Sequence, residues 1–119
     1  MKSLAIVFTS ILLPVATFAD APEILDVVVE KTGMTWRVDV TLEHPDTGWD
    51  HHADGWQVLD ADGTVLGVRE LMHPHVNEQP FTRSLTSLIL PDGTREIFVR
   101  AHCTIDGWTE EPVRVELSP

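Results

Sequence analysis

Basic residues are scarce in this chain: eight lysines and arginines stand against nineteen aspartates and glutamates, a formal charge of −11. A surface of that sign repels phosphate backbones and anionic lipid, so nucleic-acid binding is excluded and cations or basic partners are favoured. Cysteine is nearly absent. With Cys103 alone, no internal disulfide can form, and a lone thiol is either buried as a small hydrophobe or used as a ligand. No apolar run reaches the length of about 20 residues that a membrane-spanning helix needs. No stretch has the 3.6-residue periodicity of an amphipathic helix. A nucleophile with a neighbouring base, a phosphate-cradling glycine loop and a paired-carboxylate motif are all missing, which leaves metal redox chemistry as the one enzymatic route open.

What the chain does have at its start is the make-up of an export signal. Lys2 supplies a positive charge, Leu4 to Phe18 is mostly apolar, and Thr17-Phe18-Ala19 offers small residues at the positions a signal peptidase reads. Residues 1–19 are therefore expected to be a signal peptide, cut before Asp20, and the product is expected in the periplasm or secreted. Residues 20–119 then form a single domain of 100 residues, enough to bury a core without covalent staples. Losing Lys2 leaves seven basic residues against nineteen acids, a net charge of −12.

The rest reads as β-strand. Met34, Trp36, Val38, Val40 and Leu42 alternate with Thr35, Arg37, Asp39 and Thr41 over nine residues, the strongest period-2 signal present. Ile24–Glu30, Trp56–Leu59, Thr64–Arg69, Phe81–Leu90, Glu96–Cys103 and Val113–Leu117 are further strands. Asp60-Ala61-Asp62-Gly63 and Pro91-Asp92-Gly93-Thr94 are the turns between paired runs. The change of phase at Ser87 predicts a bulge or a doubly buried strand end. Seven short strands at regular spacing predict an all-β fold, an antiparallel β-sandwich of immunoglobulin or fibronectin-III type.

Chemistry concentrates in two loops. His51 and His52 lie in one, His73 and His75 in the other, and both flank the hairpin from Trp56 to Arg69, so they should meet at one end of the sheet. Three or four imidazoles there suit copper or zinc, with Glu78, Asp50 or Asp54 completing the shell. His102 and Cys103 are possible additional ligands, although alternation turns Cys103 inward. His44 reads as a plain surface residue. A second expectation uses the same region differently: Arg83 with Glu78, and the loop tryptophans Trp49 and Trp108, as a contact face for a protein or glycan. The leading expectation is thus a non-catalytic metal-binding protein, with an interaction module as the alternative.

His73-Pro74-His75-Val76-Asn77-Glu78-Gln79-Pro80-Phe81-Thr82-Arg83-Ser84-Leu85, with Asp50-His51-His52-Ala53-Asp54-Gly55-Trp56, resembles small exported proteobacterial proteins, a likeness that implies no activity. His73-Pro74-His75-Val76-Asn77-Glu78-Gln79 and Cys103-Thr104-Ile105-Asp106-Gly107-Trp108 are also similar to the H-P-M-x-x-E-H and C-N-x-H-G-x-W motifs of superoxide reductases. That similarity implies an immunoglobulin-like sandwich and an iron site in which His73 and Cys103 match ligands. Gln79 and Asp106 stand where that family's pattern has ligand histidines. The mature chain begins with Asp20, so it lacks the amino-terminal histidine that lytic monooxygenases and one class of periplasmic copper carriers use. Met72-His73 lacks the paired methionines of another class of copper chaperone.

Overall fold

The computed structural model describes residues 21–118, and the expected signal peptide and its cut before Asp20 lie outside the described residues. Eight strands follow in order: β1 (Glu23–Thr32), β2 (Thr35–Glu43), β3 (Ala53–Leu59), β4 (Val65–Glu70), β5 (Phe81–Leu88), β6 (Glu96–Cys103), β7 (Gly107–Trp108) and β8 (Val113–Glu116). They form two antiparallel sheets. One has the order β1-β2-β5; the other runs β4-β3-β6-β7, with β8 also pairing with β6. The all-β sandwich expected from the sequence is the observed architecture.

Alternation decides which side chains lie between the sheets. On β2, Val38, Val40 and Leu42 are fully buried; on β6, Ile97, Val99, Ala101 and Cys103 are. Trp56 and Val58 of β3 join them, and Phe81, Leu88 and Leu71 close the core. Burying apolar area at roughly 25 cal/mol per Å² is what drives the sheets together. β4 approaches β5 closely at Gly67, where a Cβ would lie 2.8 Å from the side chains of both Leu85 and Leu88. Any larger residue there would push those two core leucines aside.

Several expectations change in detail. The loop expected over Thr104 to Glu111 contains β7, two residues too few to show periodicity, which pairs with His102 and Cys103 after a left-handed turn at Gly107 (φ 79°). Met34, expected on the buried face of β2, is 93% exposed because it belongs to the turn that precedes the strand. The phase change in β5 is a bulge: Ser87 has φ 58°, and the β2–β5 register shifts between the Trp36 and Val38 pairs.

Candidate metal centre

Two buried phases from facing sheets end at the same pole of the sandwich, and each ends in a metal-ligand side chain. Along β2, Val38-Val40-Leu42 continues in phase to His44, one residue past the strand and only 1% exposed. Along β6, Ile97-Val99-Ala101 continues to Cys103, which is fully buried. His44 is therefore not the plain surface residue expected from the sequence. Its inward phase outlasts the strand, and the loop beyond Pro45 folds over it.

Two more groups complete a cluster. One ligand atom from each of His44, His51, Cys103 and Asp106 lies within 4.8 Å of the other three. His51 is placed by a tight turn in which its N–H donates to Gly48 O at 3.1 Å and its carbonyl accepts from Thr47 N at 3.0 Å. Thr104 fastens that turn to the end of β6. Its hydroxyl accepts from His52 N at 3.1 Å, and its N–H donates to His52 O at 3.0 Å. The chain from Cys103 to Asp106 winds round the sulfur, with Ile105 N–H and Asp106 N–H donating to Sγ at 3.4 and 3.5 Å. His51 Nε2 stands 3.2 Å from Asp106 Oδ2, and both side chains reach solvent.

The electrostatics of this pole are unusual in two respects. Burial pushes the Cys103 thiol above its ordinary pKa, against the pull of the two backbone N–H groups, so a metal would have to displace its proton. His44 gives Nδ1 to Asp46 Oδ1 at 2.5 Å, while its Nε2 is buried with no hydrogen-bond partner. Leaving a buried nitrogen unpaired costs about 1–3 kcal/mol. A metal ion held by that nitrogen, His51, the Cys103 sulfur and Asp106 would remove the cost, so the residues present fit one.

The histidines expected as ligands are distributed differently. Of them, only His51 belongs to the four-donor group. His52 is buried against Trp49 at a 5.6 Å ring separation, with Nδ1 unpaired. His73 is exposed and bonds the carbonyl of Pro74. His75 is 4% exposed, stacked on Phe81 at 3.9 Å, and its Nε2 is 2.9 Å from an Arg83 nitrogen. Arginine can only donate, so that His75 nitrogen is the acceptor and the ring is neutral. Burial first, and Arg83 and His73 after it, hold its pKa below the ordinary value. Glu78 faces Arg83 at 3.1 Å, and Asp54 holds His102 at 2.6 Å beside Trp108. Asp50 is exposed.

The two loops do converge, as their flanking of one hairpin implied, but through Asp46 rather than through imidazoles. Asp46 Oδ2 accepts from His75 N at 2.7 Å, and Asp46 Oδ1 accepts from Ala53 N at 2.9 Å. Gln79 Oε1 accepts from His44 N at 3.0 Å, while Gln79 Nε2 donates to His75 O at 2.8 Å. The sequence signal for His44 was available: it lies two residues beyond Leu42 in an unbroken inward phase.

Solved structures share this architecture. A superoxide reductase from Nanoarchaeum equitans superposes with a TM-score of 0.55 and 17% identity, over 86% of this chain and 95% of that one. A hypothetical protein from Pyrococcus horikoshii OT3 gives 0.56 and 16%, over 87% and 94%. At such identities the likeness establishes the fold. A curated protein named "Putative lipoprotein", from Halomicrobium mukohataei, is 39% identical over 94 residues. Those residues are 78% of this chain but 46% of that protein, so the chain spans less than half of the relative's length. That relative is archaeal, whereas the sequence resemblance pointed to proteobacteria. No family model matches the chain. Among the described residues, no helix is long and apolar enough to cross a membrane.

Proposed function

We propose that this protein binds one divalent transition-metal ion, zinc or copper, through His44, His51, Cys103 and Asp106. Two observations carry the reading: one ligand atom from each of the four residues lies within 4.8 Å of the other three, and His44 Nε2 is buried without a partner. Two imidazoles, a thiolate and a carboxylate make a borderline-soft set of the kind that zinc and copper accept. The thiolate and the carboxylate together balance a double positive charge, which favours a divalent ion over a monovalent one. Fe(II) belongs in the same trial, because one structural neighbour is a superoxide reductase. The name of the Halomicrobium relative supports export. Residues 1–19 are then the signal peptide, residues 20–119 the working domain, and the periplasm or exterior its place of action. Amino-terminal sequencing of the exported protein checks the cut before Asp20.

Titration of metal-free protein with Co(II) as a spectroscopic stand-in, then with Zn(II), Cu(II) and Fe(II), tests the metal reading. One equivalent should bind, with a thiolate-to-cobalt charge-transfer band that Cys103→Ala abolishes. Metal at 100 times its Kd should stabilise the fold by about 2.7 kcal/mol. Absence of stoichiometric binding, or binding indifferent to Cys103→Ala, would remove the reading.

A second reading, a contact face for a protein, is favoured by Trp49, which is 68% exposed at the edge of the same pole. Arg83 fits that role poorly, since its guanidinium already serves Thr82 O, His75 and Glu78. Equal recovery of periplasmic proteins by the wild type and Trp49→Ala would count against it.

A further inference from the structure

We infer that Asp46 and Gln79 are positioning residues of the metal centre, holding the His44 ring in the tautomer and orientation that offer Nε2 to the ion. The inference rests on the metal reading above and assigns a task to the His73–Arg83 segment, which supplies none of the four donors. Asp46 has no exposed side-chain surface. A carboxylate taken out of water is costly unless its lone pairs are used. Asp46 meets that cost with three donors from three parts of the chain: the His44 ring at the end of β2, Ala53 N at the start of β3 and His75 N in the loop before β5.

The first of these bonds has a direct chemical consequence. A carboxylate at Nδ1 fixes the proton on that nitrogen, leaves the Nε2 lone pair bare and raises its basicity, as the outer partners of metal-bound histidines do. Gln79 acts on the backbone of the same residue. Its carbonyl oxygen accepts from His44 N and its amide nitrogen ties back to His75 O, so it locks the loop before β5 against the end of β2. One nitrogen of the His44 ring is held by Asp46 and the other is left unpaired inside the protein, in a residue that also belongs to the four-donor group.

Two measurements on the same proteins test this. The first is the ¹⁵N NMR signature of the His44 side chain in metal-free protein, which reports its tautomer. The wild type should show the proton on Nδ1, and Asp46→Asn should lose that preference. An unchanged tautomer would overturn the role of Asp46. The second is the Zn(II) dissociation constant of the folded wild type, Asp46→Asn and Gln79→Ala, with His73→Ala as a control. Asp46→Asn and Gln79→Ala should bind about 10–100-fold more weakly and His73→Ala should bind as the wild type does. A lower metal-free melting temperature with an unchanged dissociation constant would mean a structural role only and would overturn the inference. If Asp46→Asn does not fold, Gln79→Ala decides by the same criterion, since its side chain is only partly buried. Failure of the wild type to bind any metal would overturn the proposed function, and the tautomer measurement would still show whether Asp46 orients the ring.

Discussion

Two histidine-bearing clusters meet at one pole of this sandwich, and they use the same side chain in opposite ways. Around His75 most polar atoms are taken up within the protein, although its Nδ1 is buried without a hydrogen-bond partner. The ring lies flat on Phe81, one nitrogen accepts from Arg83, Arg83 in turn reaches Glu78, and the backbone bonds Asp46 and Gln79. Around His44 four donors are gathered at one point: a nitrogen is left bare, a thiol sits under two N–H groups and donates to Asp106 Oδ2 at 3.7 Å, and the same carboxylate oxygen pairs with His51 Nε2 at 3.2 Å. The histidine-rich motif and the four-donor group are thus different parts of the same pole. What distinguishes the His44 cluster is convergence: one ligand atom from each of four residues lies within 4.8 Å of the other three.

The scaffold should break hardest at its apolar anchor. Phe81 is 2% exposed, belongs to the core and supports the His75 ring. Phe81→Ala is expected to cost about 3–5 kcal/mol in urea unfolding, as truncation of buried aromatics does. A cost near zero would mean that the segment is not built on this contact. At the binding cluster, Cys103→Ala exchanges one small buried side chain for another, so the metal-free fold should change far less. Its expected effect is on metal affinity, a loss of at least about 100-fold by calorimetric titration, on the order of 3 kcal/mol. The two variants together separate the clusters: one unfolds without a special effect on the ion, the other loses the ion and keeps the fold.

The sequence disclosed much of this fold because its strands alternate. Val38-Val40-Leu42 and Ile97-Val99-Ala101-Cys103 each show which face is buried, and the turn at Asp60–Gly63 marks the β3–β4 hairpin, whereas Pro91–Thr94, expected as a second hairpin turn, carries the chain from β5 in one sheet to β6 in the other. Cys103 was expected to point inward for the same reason. The candidate site was harder to read. His73-Pro74-His75 draws attention by density, yet the His75 ring stacks on Phe81 and accepts from Arg83, residues six and eight positions away across a bent loop, while the His73 ring is exposed and bonds the neighbouring Pro74 carbonyl. His44 looked ordinary because it stands alone before Pro45, although the inward phase of β2 runs straight into it. Asp46 was invisible in another sense. Three separate segments must already be folded before its carboxylate has anything to hold.

Acid should reveal the difference between the clusters more gently. The pKa of His75 is lowered in the folded protein, by burial first and Arg83 next. Between that lowered value and the ordinary one near 6.5, the unfolded chain binds the proton and the folded chain does not. Stability from this residue is therefore fully present above about pH 6.5 and is lost as the pH falls toward the lowered value. His75→Phe keeps an aromatic ring against Phe81 and removes the titration. Its unfolding free energy should vary less with pH between 7 and 5.5 than that of the wild type. An equal or steeper dependence would show that His75 is not a source of acid sensitivity.

The smallest effect is expected where the two clusters would look most alike to a reader of the sequence. Glu78 was a candidate ligand, yet its carboxylate faces Arg83 with a side chain 59% exposed, and it lies outside the four-donor group. Solvent screens such a pair, so Glu78→Ala should cost only about 0.2–1 kcal/mol. Arg83 would keep its bonds to Thr82 O and to His75, because neither depends on Glu78. Metal affinity should stay within error of the wild type. A tenfold loss on Glu78→Ala would instead place the ion near the His73–Arg83 segment and reverse the assignment of the two clusters.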